Sequence, residues 1–251
     1  MNDFNHPATD ALAKMSELEQ GRKSVARREG SMALTPAQLV ERSLIPFVDG
    51  TNRQLVDSFR ELRTRLLATS SDNFITLVAP VSKGCGGSFV ARNLALAITL
   101  DQSRNALLID CNLRQPSQHA VMKIDATRGG LVNYLEDPDA DVENMLYGTG
   151  IPRLKLIPAG RSTYGDMENE YFSSFRMRLL LDSLRSAYSD RYIVLDSPPV
   201  LGAPDARILS ELADVVILVA GYGRNTPAAI TAAAGNFDPA KFAGVVFNEN
   251  A

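Results

Sequence analysis

A glycine-rich segment with the spacing of a phosphate-binding loop lies between an apolar run and an amphipathic one. It reads APVSKGCGGSF over residues 79–89. Glycines let backbone N–H groups approach phosphate oxygens, and a helix that starts after them presents its positive end to an anion. The usual pattern is GxxxxGK[ST], whose lysine neutralises phosphate charge and whose hydroxyl holds magnesium. Here Gly86, Gly87 and Ser88 fill the last three positions, so the hydroxyl is kept and the lysine is not.

Two interpretations of this loop stay open from its own residues. Lys83, a few residues upstream, is the cation that would replace the missing lysine of a phosphate loop. The alternative is an ordinary strand-to-helix turn, because glycine is common wherever the backbone turns sharply.

Two aspartates close later apolar runs. Asp110 ends NALLID, with Asn112 two residues on, and Asp196 ends YIVLD. An aspartate at a strand tip binds magnesium or orients a nucleophile, and Asp196 also has the position of an acid that accepts a hydrogen bond from metal-bound water or from the loop hydroxyl. Each aspartate alone is better explained as a polar strand end. Together with the glycine loop they predict one nucleotide site, with Ser88, Asp110 and Asp196 around the metal.

Short apolar runs rich in β-branched residues alternate with helical stretches. The runs are 74–79, 105–110, 154–159, 192–196, 215–220 and 242–248, and the helical stretches after the first run cover about 88–101, 170–187, 204–213 and 226–236. This alternation predicts an α/β fold with a mainly parallel sheet and helices on both faces. Right-handed crossovers bring the carboxyl ends of the strands to one edge, where ligands of open α/β sheets bind.

The chain divides into a polar beginning and a folded remainder. We interpret residues 1–50 as a flexible extension and residues 51–251 as one domain. A basic cluster in the extension, formed by Arg22, Lys23, Arg27 and Arg28, either contacts an acidic partner or anionic lipid or is only a solvated linker.

Composition excludes several other classes of protein. A net charge of -3 gives no general attraction to nucleic acid, and we expect no nucleic-acid partner. Two cysteines and two histidines are too few for a disulfide framework, a zinc pattern or a His-based catalytic triad. The apolar runs are shorter than the ~18 residues of a membrane span, and residues 1–20 lack the apolar core of a signal peptide. We therefore expect a cytoplasmic protein.

The order of the motifs resembles the bacterial tyrosine kinase family of capsule and exopolysaccharide synthesis, within the deviant-Walker P-loop group. The resemblance runs from about residue 50 to the end and is carried by GGSF, ALLIDCNLRQPS, GGLVNYL, LIPAG, DSPPV, ADVVILV and GVVFN. It implies a P-loop NTPase-like fold that binds ATP or ADP with Mg²⁺.

The resemblance also implies roles for individual residues. The nucleotide loop would be Lys83, Gly84, Cys85, Gly86, Gly87, Ser88 and Phe89. Asp110 and Asp196 would be the catalytic and metal-binding acids, and Asn248 would read the adenine base unless it only ends its strand. Asp57, Arg60 and Arg63 match a helical segment that docks on a neighbouring subunit in a ring, and a solvated helix face is the alternative.

Three departures from the family pattern all concern phosphate transfer. Gly87 replaces the loop lysine, and Asn112 replaces a second aspartate, so a neutral amide stands where a general base would be. The tyrosine cluster that the family carries near its C-terminus is missing, since the last tyrosine is Tyr222 and Tyr164 and Tyr171 lie far upstream of the C-terminus.

These departures favour a pseudo-kinase that regulates exopolysaccharide polymerisation and export. It would act at the inner membrane by binding the cytoplasmic ends of a membrane-spanning co-polymerase, and it would form a ring or dimer. The first alternative is an active tyrosine autokinase that uses Lys83 as its loop cation. A second is a positioning or partitioning ATPase of the same fold, which the acidic composition disfavours.

Overall fold

The computed structural model describes residues 34–47, 52–70, 72–162 and 171–249. The strands are β1 (Ile75–Pro80), β2 (Asn105–Asp110), β3 (Tyr147–Gly148), β4 (Leu154–Ile157), β5 (Arg191–Asp196), β6 (Val215–Gly221) and β7 (Phe242–Asn248). The α-helices are α1 (Pro36–Val40), α2 (Arg53–Leu67), α3 (Gly87–Ile98), α4 (Gln118–Val121), α5 (Leu131–Glu136), α6 (Phe175–Ser186), α7 (Asp205–Leu212) and α8 (Pro227–Ala234).

The strands form one sheet in the order β3-β4-β2-β5-β1-β6-β7. All neighbours are parallel except β3, which pairs antiparallel with β4. The strand that feeds the glycine loop, β1, lies between β5 and β6. The predicted P-loop NTPase-like α/β fold is therefore confirmed.

The central strands are buried on both faces, which explains their continuous apolar runs. Leu77 packs into a core shared with α6 and α7, whereas the next residue, Val78, packs into a core shared with α2 and α3. Since side chains alternate along a strand, each central strand supplies both layers. No helix of the described residues is long and apolar enough to cross a membrane.

Packing begins earlier in the chain than the expected domain start at residue 51. Leu44, Ile45 and Phe47 are buried in the core beside α3. The Asn93 amide fixes this segment, since it accepts from the Ile45 N–H at 2.8 Å and donates to the Ser43 carbonyl at 3.0 Å. Residues 34–47 are thus part of the folded unit, while the basic cluster at positions 22–28 lies outside the described residues.

Candidate functional site

The glycine segment has the backbone conformation of an anion-binding loop. Gly84 and Gly86 have φ angles of +82° and +79°, in the left-handed region that strains other residues. Helix α3 begins at Gly87 immediately afterwards, so its free N–H groups face the loop. Loop and helix end together form a cradle that suits phosphate oxygens.

The ring of Pro80 occupies the space that a side chain at position 87, the position of the missing lysine, would need. A Cβ at Gly87 would lie 2.8 Å from both Cδ and Cγ of Pro80, and 2.9 Å from its Cβ. Pro80 is the last residue of β1, and its ring is therefore held by the sheet. The loop has no room for any side chain at position 87 unless Pro80 moves.

Two asparagines, one at the end of β7 and one in the turn after β6, hold the loop in place. Asn248, at the end of β7, donates its amide to the Cys85 carbonyl at 3.1 Å. A Cβ at Gly86 would lie 2.0 Å from the Asn248 amide nitrogen, so a side chain there would displace this amide. The structure thus brings Asn248 to the predicted loop through a contact with the loop backbone.

The second asparagine, Asn225, was not predicted from the sequence. Its oxygen accepts from the Cys85 thiol and from the Gly221 N–H, both at 2.9 Å, and its nitrogen donates to the Ser82 hydroxyl at 2.9 Å. A polar residue in a turn after a strand gives no sequence signal of such a role. Asn225 ties the turn after β6 to the phosphate loop.

The two predicted aspartates are neighbours on adjacent strands. Asp110 of β2 is in register with Asp196 of β5, and both are fully buried at the carboxyl edge of the sheet. Three backbone N–H groups donate to Asp110, from Asn112 at 3.2 Å and from Ser117 and Gln118 at 3.0 Å. Both oxygens of Asp110 therefore accept hydrogen bonds from the backbone of the segment that follows β2.

Asp196 is bridged to the phosphate loop by Gln118. The Gln118 amide donates to Oδ2 of Asp196 at 2.6 Å and to the Ser88 carbonyl at 3.0 Å. Oδ1 of Asp196 is buried and has no hydrogen-bond partner within the described ranges. Burial and the charge of Asp110 raise the pKa of Asp196 to about 7, and burial also raises the pKa of Asp110.

A buried arginine, Arg92, completes this network. It lies on α3 one turn after Ser88, is 6% exposed, and donates to the Ser88 carbonyl at 3.2 Å and to the Gln118 oxygen at 3.4 Å. Burial lowers the pKa of Arg92, and the charges of Asp196 and Asp110 oppose that shift. Arg92 is thus a fixed counter-charge for the two carboxylates.

The predicted cation Lys83 is exposed and lies at the rim of a cavity of about 170 Å³. Asn112, Arg114 and Pro198–Pro199 line the same cavity. Arg114 faces the buried carboxylate of Asp205, at 3.8 Å. Lys83 and Asn112 therefore line one cavity, together with Arg114.

The residues around the loop fit a nucleoside phosphate with one divalent cation. The glycine backbone would hold the phosphates, and the Ser88 hydroxyl with the unpartnered Asp196 oxygen would hold the cation, since magnesium in such sites needs few protein ligands. Asp110 adds charge but no free oxygen. Among the described residues, no group of three or more His, Cys, Asp or Glu side chains is placed to hold a metal without phosphate.

The predicted subunit contact lies on α2, which packs beside the loop through Phe59 and Phe89, with ring centroids 6.1 Å apart. Asp57 and Arg60 form an exposed ion pair at 3.5 Å. Arg63 instead turns inward and donates to the Ala97 carbonyl at 3.2 Å. Only two of the three charges on this flank are therefore presented to solvent.

Comparison with known proteins gives consistent relatives, although no family profile matches the chain. Tyrosine-protein kinase CpsD of Streptococcus agalactiae serotype III is 28% identical over 196 residues, which cover 76% of this chain and 81% of that protein. Putative tyrosine-protein kinase EpsB of Ralstonia nicotianae is 31% identical over 198 residues, which cover 77% of this chain and 25% of the relative.

The solved kinase domain of Escherichia coli tyrosine kinase ETK superposes with a TM-score of 0.72 at 25% identity, over 82% of this chain and 81% of that one. The aligned sequence covers most of the domain in which the loop and both aspartates lie. By both sequence and fold, the chain is similar to bacterial tyrosine kinases.

Proposed function

We propose that this protein is a non-phosphorylating regulator of bacterial exopolysaccharide polymerisation and export with a degenerate nucleotide site. It binds the cytoplasmic ends of a membrane-spanning co-polymerase and thereby lies at the inner membrane. Its relatives are named tyrosine kinases, and this chain keeps the glycine loop and two aspartates but not the loop lysine.

One observation carries the proposal: the ring of Pro80 fills the space below Gly87. A lysine at that position would stabilise the negative charge of the phosphoryl group during its transfer. This electrostatic contribution is typically worth several kcal/mol of transition-state stabilisation. Substitution of the lysine by glycine removes this charge, and the proline keeps the position closed to a simple reversion.

The acids of the site support the same conclusion. Asn112 has a neutral amide, which cannot accept a proton from a tyrosine hydroxyl. Asp110 accepts backbone N–H groups at both of its oxygens, and Oδ2 of Asp196 accepts the Gln118 amide. The fold around these residues is intact, so the protein keeps a shape suited to assembly with a partner.

A direct assay tests the proposal. The purified protein is incubated with ATP and Mg²⁺, and phosphotyrosine and ATP hydrolysis are measured beside the kinase domain of ETK as the active control. We expect neither product above background. Phosphotyrosine that disappears in Asp196→Asn would overturn the proposal. The triple variant Pro80→Ala, Gly87→Lys, Asn112→Asp then asks whether restored charges give turnover in a site that Pro80 no longer blocks.

The partner is tested separately. The chain is mixed with a membrane-spanning co-polymerase of the same organism that has been purified in detergent, and co-elution is followed by size-exclusion chromatography. Co-elution supports the proposed role, and its absence for wild type at micromolar concentration contradicts it. The absence of kinase activity and the binding of the partner are thus measured independently.

The second candidate is an active tyrosine autokinase that uses Lys83 as a displaced loop cation. Its support is the cavity that Lys83 shares with Asn112 and Arg114. This function requires phosphotyrosine on the purified protein that is lost in both Lys83→Ala and Asp196→Ala.

A further inference from the structure

A second cation lies against the phosphate loop, on the side opposite to Lys83 along the sheet. Arg224 is in the turn after β6, and its side chain is exposed. A Cβ placed on Gly84 would be 3.1 Å from Nη1 of Arg224, so the guanidinium contacts the first glycine of the loop. This residue matched no motif in the sequence.

The backbone that carries Arg224 is fixed to the loop. Its N–H donates to the Gly221 carbonyl at 3.1 Å, which closes the turn. The next residue, Asn225, bonds to both Ser82 and Cys85 of the loop. Movement of the turn away from the loop would break these bonds, so Arg224 stays next to Gly84.

The charge of Arg224 is not neutralised by the surrounding protein. Within the ranges that the structure describes, no carboxylate or carbonyl accepts a hydrogen bond from its guanidinium, and it forms no ion pair. Arg92 is instead buried among Asp196, Asp110 and Gln118, and Arg114 faces Asp205. Arg224 is therefore available to an anion that enters the loop.

We infer that Arg224 is the phosphate-binding cation of this loop and replaces, from the neighbouring turn, the charge that Gly87 lacks. The ligand is the diphosphate or triphosphate group of a nucleotide, because a guanidinium forms paired hydrogen bonds with phosphate oxygens beside the loop N–H groups. The inference rests on the nucleotide site of the proposed function but requires no phosphate transfer.

Calorimetric titration with ADP, with Mg²⁺ and with EDTA, tests this assignment on the full chain. We expect Arg224→Ala to weaken ADP binding by about 10- to 100-fold and Arg224→Lys by less, because lysine keeps the charge but loses the paired geometry. Arg178→Ala is the matched control, since Arg178 is exposed on α6 away from the loop, and it should bind ADP as wild type does.

Inorganic tripolyphosphate is titrated as a second probe, because a phosphate contact must weaken its binding in parallel with that of ADP. Arg224→Gln, with thermal unfolding in the absence of ligand, confirms that lost binding is not lost folding. Equal affinity of wild type and Arg224→Ala, or no binding by wild type, overturns the inference and leaves the proposed lack of kinase activity intact. Phosphotyrosine formation would overturn the proposed function and leave the role of Arg224 standing.

Discussion

The ring of Pro80 and the bare Cα of Gly87 form a coupled pair. β1 ends at Pro80 and α3 begins at Gly87, and the glycine loop between them brings the ring to 2.8 Å from the place where a Cβ would be. Real Cβ atoms do not approach a carbon so closely. The phosphate loop of this protein therefore has a steric reason, besides a chemical one, to lack a side chain at the lysine position.

We expect Gly87→Ala to destabilise the protein by about 1–3 kcal/mol, the usual effect of overpacking. Without the proline the same change should be favourable, because glycine costs about 0.5–1 kcal/mol relative to alanine in a helix. A double-mutant cycle with Pro80→Ala, followed by urea denaturation, measures the coupling. Gly235→Ala is the control, since its new Cβ would meet only carbonyl oxygens at 3.5 Å or more. Additive effects at positions 80 and 87 would contradict the steric account.

Gly86→Ala should cost more than its backbone angle alone explains. Gly223 has a similar φ of +71° and nothing within 4 Å of a new Cβ, so Gly223→Ala reports only the strain of the left-handed conformation, about 1–2 kcal/mol. At Gly86 the new methyl group also meets Asn248. We expect Gly86→Ala to be the more destabilising change in urea denaturation, and the effect of Gly86→Ala measured in the Asn248→Ala background to approach the Gly223→Ala value. No rescue by Asn248→Ala would rule out the clash.

The stability of the protein should fall as pH rises through the titration of Asp196. The pKa of Asp196 is raised from 3.8 to about 7 by burial and by Asp110, so between these values the folded state holds a proton that the unfolded state has lost. The loss of unfolding free energy caused by ionising the buried Asp196 carboxyl is absent below pH 4 and complete above pH 7. Asp196→Asn cannot ionise, and its stability relative to wild type should rise by about 2–3 kcal/mol between pH 5 and pH 8.

Denaturation curves at pH 5, 6, 7 and 8 measure this difference. Asp72→Asn, at an exposed position, is the control and should give a constant difference. If Asp196→Asn also gives a constant difference, Asp196 is already charged at pH 5 and burial does not raise its pKa.

The central strands were predictable because they are buried on both faces, and the half-buried β7 also reads as a continuous apolar run. The predicted ranges 105–110 and 242–248 coincide with β2 and β7. Tyr147–Gly148 was missed, since two residues are too few for any period to appear. The meeting of Ser88, Asp110 and Asp196 followed from parallel topology, which places the ends of β1, β2 and β5 side by side.

The rest of the site depends on contacts between segments that are distant in the chain. Gln118 and Asn225 are polar residues in ordinary surroundings, and nothing local marks them as partners of Asp196 and Cys85. Arg92 did carry a signal, because it is a charge between buried residues of α3 and such a charge needs a buried partner. Pro80 carried another, since proline inside a sheet is confined to strand ends and edges; its partner at Gly87 became apparent only from the fold.

The buried bridge between Arg92 and Asp196 should be sensitive to loss of Gln118. Gln118→Leu removes the donor to Asp196 and the acceptor for Arg92 and leaves both charges buried, so we expect a loss of about 2–4 kcal/mol in urea denaturation. Adding Asp196→Asn should recover part of that loss by removing one charge. Gln115→Leu, on the exposed side of the same segment, should have little effect. An equal loss for Gln115→Leu would show that the segment as a whole is fragile and that the bridge is not the cause.

Substitutions of the charged residues on α2 should affect self-association and the unfolding free energy separately. Asp57 and Arg60 are exposed, and an exposed ion pair contributes at most about 1 kcal/mol, so Arg60→Glu should leave the unfolding free energy nearly unchanged. If the proposed self-association uses this flank, the charge reversal will shift the mass measured by sedimentation velocity toward the monomer. Arg63→Ala should instead cost about 1 kcal/mol of stability, because the Ala97 carbonyl loses the Arg63 donor and keeps only backbone donors such as the Leu100 N–H at 3.3 Å. Arg65→Glu, which breaks the exposed pair with Glu61 on the same helix, is the matched control. Equal dissociation by Arg65→Glu, or none by Arg60→Glu, would exclude the Asp57–Arg60 flank as the subunit contact.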